Sequence, residues 1–567
     1  MLTLKTRPSF HTLLDAITMT AVDDTPSAII YLETDKPPIH ISRREFRERT
    51  VSYAHALQHL GLRPRDLLII AHTQNLESIY AFWGAMLMGA IPAMFPTLTE
   101  KLDPDIYIRH MAELVRLSNV KAVLTTDEFA PQLGTAVECH VFSSTDIRYW
   151  DIGILGDCQY PNIPIPQYPN PEATAFLQHS SGTTGLQKGV ALAHTAVLNQ
   201  LASYSEAIQL NECDVVVSWL PLYHDMGLIA GFLLPLVQGI PLVLMSPFDW
   251  VSHPALLLRA IHDYGGTLCW LPNFAYNHCT RRIRERDKAG LSLASMRLFV
   301  NCSEPVRHDS HQLFLEKFAA NGAKPEMLGV SYAMAENTFA VTQTKPGGTA
   351  VLDTIDDQEL TNNGYAKRVD SGHPQAAVKV SCGRAIVGTA VRVLDEQGNV
   401  LPDRRVGELA IQSNCMLAEY YRRPDLQPFT DGWYRTGDRG YLVNGEVFVI
   451  GRAKDLIINA GKNVYPQDIE AIVNRVEGVH VGRAVVFGVP DAKEGTELIA
   501  VVAEVQTDDP EERRAIAKTI RQEVARQSEI SVSYVHLVGP KWLLKTSSGK
   551  IARAANREKW LAEISKQ

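Results

Sequence analysis

The ten residues from Ser180 to Gly189, SSGTTGLQKG, gather the chemistry of anion binding into one short segment. Gly182, Gly185 and Gly189 allow a backbone to take positive φ and come close to an anion. Ser180, Ser181, Thr183 and Thr184 add hydroxyl donors, and Lys188 adds a mobile positive charge. It is not a Walker loop, because Gly189 follows Lys188 where Ser or Thr would stand. A phosphate cradle is the chemical reading, and an ordinary Gly/Ser/Thr turn is its alternative.

Such a loop needs rigid elements on either side. Apolar stretches Ala173–Leu177 and Val190–Leu192 read as the two strands that fix its ends. Alternating apolar and amphipathic runs from about residue 45 to 340 indicate layered α/β structure, with strands at Asp66–Ala71 and Val120–Thr125 and a helix at Leu76–Met88. Pro161, Pro164, Pro166, Pro169 and Pro171 mark an extended connector leading into the loop's first strand. From Ile386 to Ile450 the pattern changes to short alternating strands, a small β-rich subdomain. The last stretch reads as an α+β unit, with a strand at Leu498–Val505. A helix then opens at Asp508-Asp509-Pro510, with Ile516, Ile520 and Val524 on one face.

At 567 residues the chain should hold two or more domains. It is 46% hydrophobic and 21% charged, as globular proteins are. Its net charge of -8, from 55 basic and 63 acidic residues without long runs, argues against a nucleic-acid partner. The N-terminus lacks the apolar core of a signal peptide. Leu228–Met245 is strongly apolar, but Pro235, Gln238, Gly239 and Pro241 break it, so it reads as a buried helix then strand, not a membrane span. Eight cysteines without a C-x-x-C pair argue against a zinc cluster or disulfide framework. A cytoplasmic enzyme is expected.

Five further segments follow the loop in order: NCSEP (301–305), SYAMAEN (331–337), WYRTGD (433–438), GRAKD (451–455) and KTSSGKIAR (545–553). Together they resemble the adenylate-forming superfamily of acyl-CoA synthetases, fatty acyl-AMP ligases, peptide-synthetase adenylation domains and luciferases. The resemblance implies an α/β N-terminal domain over 1–451, with an insertion at about 346–380. A small mobile α+β C-terminal domain over 452–567 carries the catalytic lysine. It implies ATP and Mg²⁺ as cofactors, with Thr184 and Glu336 at the metal. The Ser303–Glu304 backbone would border the adenine and Tyr332 would stack on it; Asp438, backed by Arg452, would take the ribose hydroxyls. Lys454 would be the hinge, and Lys550 would reach the carboxylate and the α-phosphate.

The residue chemistry suits these roles. An aromatic face offers stacking area, a carboxylate is a hard ligand for Mg²⁺, and a cation is wanted where two anions meet. Each has a plainer alternative: an Asp near an Arg is often a surface pair, and an exposed Lys is often solvated. Cys302 and Ala333 stand where the family usually has glycine, which should crowd the site slightly, and Gln187 stands where it usually has proline. Gly329–Ala333 falls one residue short of a hydrolase nucleophile elbow, lacking the second glycine.

SWLPLYHDMGLIAG (218–231) and WLPNFAYNHCTRRI (270–283) look most like fatty acyl-AMP ligases. By that likeness His224 lies at the carboxylate end of the acyl pocket; a satisfied helix-start histidine is the alternative. No aspartate for binding an α-amino group is identified by motif. The insertion is similar to the one that, in those ligases, packs between the domains and disfavours use of CoA; a surface loop is the alternative. The implied reaction is activation of a carboxylic acid, a fatty acid by this likeness, to acyl-AMP. Transfer to the phosphopantetheine thiol of a separate acyl carrier protein follows, with CoA as the alternative acceptor. An acyl- or aryl-CoA ligase and a catalytically silent adenylate-fold binder remain as alternatives; the retained Thr184, Glu336, Asp438 and Lys550 speak against the latter. Trp270 stands where these ligases usually carry small residues, so it either shortens the acyl pocket or turns into the core.

Overall fold

Runs of branched and aromatic residues become the strands of two large sheets. The computed structural model describes residues 10–18, 27–98, 104–148, 170–179, 188–459, 462–491, 496–528, 530–546 and 549–564. Among them, a seven-stranded sheet pairs Leu67–Ala71 in parallel with Ile91–Met94 and Ala122–Thr125. Leu67–Ala71 is buried along its whole length, as a strand covered on both faces must be. The same sheet contains Thr174–His179 and Gly189–Ala193, antiparallel to each other, in place of the two expected strands. These strands deliver and receive the 180–189 segment, of which 180–187, like the proline-rich connector as far as residue 169, lies outside the described residues.

A nine-stranded sheet carries Val216–Ser218, Leu268–Leu271, Leu298–Asn301 and Leu328–Ala333 side by side in parallel. The helix Leu76–Leu87 belongs to the core shared by both sheets, with Phe82 and Trp83 fully buried. Asn75 caps it by accepting the Ser78 amide, a contact worth about 1 kcal/mol. Leu228–Met245 is a buried helix then a strand: a π-helical turn at Met226–Leu233 runs into Leu234–Gln238, and Leu242–Met245 follows. Ser331 lies within the strand Leu328–Ala333, paired with Gln343, and donates to the Thr342 carbonyl at 2.7 Å, so no nucleophile elbow forms.

The β-rich subdomain is a five-stranded sheet built on Thr389–Leu394, Gly407–Ser413, Trp433–Val443 and Glu446–Arg452. Arg452 still pairs with Asp438 across that sheet. The chain then leaves through a 3₁₀ turn, Ala453–Asp455, which carries Lys454. Beyond it, Val479–Asp491, Thr496–Val505 and Tyr534–Val538 form a separate sheet. The helix Pro510–Ser528 covers that sheet through Ile520 and Val524, with Ile516 half-buried beside them. No described helix is long and apolar enough to cross a membrane, and the seven described cysteines are all free.

Candidate active site

Parallel strands open their carboxyl ends onto one side of a sheet, which is where ligands bind in α/β folds. Here Leu298–Asn301 ends at Cys302–Ser303 and Leu328–Ala333 ends before the 3₁₀ turn Ala335–Asn337, so Ser303, Tyr332 and Glu336 share one rim. Ser303 takes φ +69°, a strained value for a residue with a side chain and one that recurs at functional sites. Its carbonyl turns toward the C-terminal domain, where the Lys550 ammonium donates to it at 2.8 Å. Lys550 stands on a tight turn closed by bonds from Thr546 N to the Lys550 carbonyl (2.7 Å) and from Gly549 N to the Thr546 carbonyl (2.8 Å). Glu304 points its carboxylate away, accepting from the Phe274 amide at 2.9 Å.

Tyr332 is buried and donates to Asp438 Oδ2 at 2.6 Å, while Arg452 Nε lies 3.2 Å from Asp438 Oδ1. Burial raises the Asp438 carboxyl above its usual range, and Arg452 and the Tyr332 bond oppose that rise. Each oxygen is engaged once and keeps a second lone pair for another donor. The pair is half-buried: Asp438 is 8% exposed, while the Arg452 side chain is 46% exposed.

Glu336 Oε1 accepts the Tyr420 hydroxyl at 3.0 Å, and Tyr420 lies 3.0 Å from the Tyr434 hydroxyl. No described residue takes Glu336 Oε2. A single carboxylate with an open oxygen fits Mg²⁺, which keeps most of its shell as water and phosphate oxygen. No cluster of three or more His, Cys, Asp or Glu suited to a metal occurs among the described residues. Lys188, exposed, holds its ammonium 4.7 Å from the centre of the Tyr420 ring. Ser180, Ser181, Gly182, Thr183, Thr184 and Gly185 lie outside the described residues.

His224 stands at the helix start, its carbonyl accepting the Leu228 amide at 2.7 Å, while its Nε2 is buried with no partner among the described residues. Asp225 caps the helix, its carboxylate accepting the Met226 amide at 2.8 Å. Burial, reinforced by Lys550, lowers the His224 pKa to about 3, so its ring is neutral. Gly227 makes the close approach possible: a Cβ there would sit 2.2 Å from the Pro221 carbonyl oxygen. Asp225 lies within electrostatic reach of both Lys550 and Glu336, and burial raises its carboxyl. The chain's motifs singled out His224 and passed over its neighbour.

Trp270 turns inward. It is 1% exposed and its Nε1–H donates to the Tyr204 oxygen at 2.8 Å; Tyr204 donates in turn to Gln343 Oε1 at 2.9 Å. Trp270 is in register with Val300, so it shares a sheet face with Cys302 two positions further on. Tyr204 lies within electrostatic reach of that same Cys302 thiol. The aromatic group therefore sits beneath the Ser303 rim, on the face covered by the helices that carry Tyr204 and Met226. Cys302 is fully buried, with Sγ 3.7 Å from the Ser303 hydroxyl, and the rim stands despite the missing glycine.

The insertion forms a hairpin, Leu352–Asp356 with Ala376–Val380, and a helix, Asp357–Asn363. It does not float at the surface. Lys379 Nζ reaches Asp357 at 3.2 Å and Asp468 of the C-terminal unit at 3.9 Å. Burial lowers the Lys379 pKa, but the two carboxylates outweigh it and raise it overall. Ile355 and Leu360 of the insertion share a core with Tyr465. Arg307 Nη2 adds a bond to the Gln467 carbonyl at 2.8 Å.

The sequence pattern of the AMP-binding enzyme family matches residues 20–421. The medium-chain-fatty-acid–acyl-carrier-protein ligase JamA of Moorena producens is 31% identical over 585 residues, 98% of this chain and 96% of that protein. The 4-hydroxyphenylalkanoate adenylyltransferase of Mycobacterium tuberculosis is 31% identical over 526 residues, 88% of this chain and 82% of that protein. A solved structure from work on fatty acyl-adenylate ligases of E. coli and L. pneumophila matches with a TM-score of 0.89 at 26% identity, covering 100% of both chains. With the motifs in order and the fold shared from end to end, this chain belongs to the AMP-binding enzyme family, the adenylate-forming superfamily.

Proposed function

We propose that this chain is a fatty acyl-AMP ligase. It joins a carboxylic acid to the α-phosphate of ATP with release of pyrophosphate, then passes the acyl group to the phosphopantetheine thiol of a separate carrier protein in the cytoplasm. The relatives named for fatty acids, AMP and carrier protein support the reaction. The observation that carries it here is the Lys550 ammonium at the Ser303 carbonyl, where the acid and the α-phosphate would meet.

The chemistry follows from charge. A carboxylate oxygen attacks phosphorus, the bond from the α-phosphate to the bridging oxygen breaks, and pyrophosphate carries the electron pair away. Two anions must approach. One cation at ~4 Å, in a medium of effective dielectric about 20, is worth roughly 4 kcal/mol. Lys550 supplies it at the acid, and Lys188 supplies another near the leaving phosphates. Mg²⁺ held by Glu336, together with Thr184, would neutralise developing phosphate charge. Tyr332 and Asp438 would hold the nucleoside by its base and its ribose. His224, kept neutral, polarises or positions the acid without adding charge.

Trp270 packs as a core side chain beneath the rim, 1% exposed and bonded to Tyr204, and the reading we put to test is that its bulk there limits the acid to one shorter or thinner than a long-chain ligase takes. The Lys379 clasp holds the insertion against the C-terminal domain, which favours a carrier protein over CoA. Pyrophosphate release measured with a panel of aliphatic and aromatic acids, with mass spectrometry of the nucleotide product, tests the reaction. Acid-dependent release with an acyl-AMP product supports it; binding of ATP without acid-dependent release overturns it.

A further inference from the structure

Tyr420 belongs to none of the motifs, yet it joins two of them. Its strand, Glu419–Tyr420, pairs antiparallel with the strand that leaves the phosphate loop, with Tyr420 opposite Val190 and Glu419 opposite Ala191. Flanking bonds from Tyr421 N to the Gly189 carbonyl (2.7 Å) and from Leu417 N to the Glu336 carbonyl (2.8 Å) fasten the same segment to the loop exit and to the Glu336 turn. Thr338 completes the attachment by donating to the Cys415 carbonyl at 2.7 Å.

Within that frame the tyrosine touches an opposite charge at each part of its ring. The hydroxyl is 3.0 Å from Glu336 Oε1, and the ring face lies 4.7 Å from the Lys188 ammonium. Its one proton goes to the carboxylate, so the Tyr434 hydroxyl, 3.0 Å away, must donate to the Tyr420 oxygen. The order is Tyr434 to Tyr420 to Glu336. Lys188 is thus held over the ring face and Glu336 at the hydroxyl end, so one side chain engages the cation and the carboxylate at separate points.

We propose that Tyr420 is a positioning residue: its hydroxyl orients Glu336 toward Mg²⁺ and its ring holds Lys188 apart, so that both stay available to the triphosphate. The inference rests on the adenylate-forming reading. It is tested without the acid, so its failure and a failure of the proposed reaction can be told apart.

The experiment is calorimetric titration of ATP into the full-length protein, without and with increasing Mg²⁺, alongside thermal unfolding. Tyr420→Phe keeps the ring and deletes the hydroxyl. It should raise the Mg²⁺ concentration needed for tight ATP binding about tenfold, the worth of a hydrogen bond to a charged group. ATP affinity without Mg²⁺ and the melting temperature should stay near wild type. Tyr434→Phe should move the same requirement about threefold in the same direction. Tyr420→Leu should in addition weaken metal-free ATP binding, because Lys188 loses its ring. An unchanged Mg²⁺ requirement in Tyr420→Phe, or equal losses with and without Mg²⁺, overturns the proposal. Should that variant not fold, an unchanged requirement in Tyr434→Phe overturns it instead.

Discussion

The Lys550 ammonium and the Ser303 carbonyl, 247 positions apart in the chain, meet at 2.8 Å. The contact places the C-terminal lysine on the rim that the parallel strands build. Arg553, three residues on, bonds Asp455 Oδ2 and Glu470 Oε1 at 2.7 Å each, tying the lysine's turn to the last residue of the Lys454 turn and to the helix Pro466–Val473. Motion at that turn would therefore carry Lys550 with it.

Lys550→Ala should lower adenylate formation on the order of 10²- to 10³-fold, the share of one cation's stabilisation that grows in the transition state. Transfer of the acyl group from preformed acyl-AMP should survive, because that step begins after the phosphate chemistry. Single-turnover assays of each half-reaction check the division; equal loss in both contradicts it.

Trp270→Gly opens the space beneath Cys302. The preferred acid should become longer in a series from butanoate to hexadecanoate, read as kcat/KM. A fully buried aromatic ring is costly to remove, with roughly 3–5 kcal/mol of stability at stake for such truncations. Trp270→Phe, which keeps most of the ring, separates shape from stability. An unchanged chain-length preference in both variants would show the indole to be only a core residue.

Lys379 is the one cation set between carboxylates of the insertion and of the C-terminal unit in the described clasp. Lys379→Ala leaves Asp357 and Asp468 facing each other without it, and like charges push the two parts apart. CoA thioester formation should rise severalfold while adenylate formation holds. A variant whose CoA product does not increase contradicts the clasp's role in acceptor choice.

Most of the scaffold was legible because its signals are local. The strand pair around the phosphate loop, the helix Leu76–Leu87, the β-rich sheet and the C-terminal α+β unit all follow from period and punctuation. The motifs also named Tyr332, Glu336, Asp438, Arg452 and Lys550 as one site, and the fold brings them to one rim. Three residues escaped. Tyr420 reaches Glu336 only through a strand pairing far along the chain, and no spacing announces that. Tyr434 sits inside WYRTGD, but its partner lies outside every motif. Asp225 escapes because no spacing announces the burial that brings its carboxyl within electrostatic reach of Lys550 and Glu336. The π-helical turn at Met226–Leu233 has no sequence period of its own.

His194 gives a pH signature. Its Nδ1 accepts the Leu13 amide at 3.2 Å, which requires a neutral ring. Burial lowers its pKa from 6.5 to about 4, with Asp15 opposing. Between those values the unfolded chain binds a proton that the folded chain does not, so stability rises with pH. The contribution is complete above the unfolded value and is lost as pH falls toward the folded one. One such group adds at most about 1.4 kcal/mol per pH unit. Urea unfolding across that acid range should show His194→Gln with a flatter slope than wild type; superimposable slopes contradict the assignment.

The most direct measurement compares CoA as acceptor with no acceptor at all. The protein, Mg·ATP and its best acid are incubated with and without CoA, and acyl-AMP, acyl-CoA and pyrophosphate are followed together by mass spectrometry and a coupled assay. Acyl-AMP should accumulate in step with pyrophosphate and persist when CoA is present. Conversion of the acid to acyl-CoA at the rate of pyrophosphate release would contradict a ligase that holds its adenylate for a carrier protein.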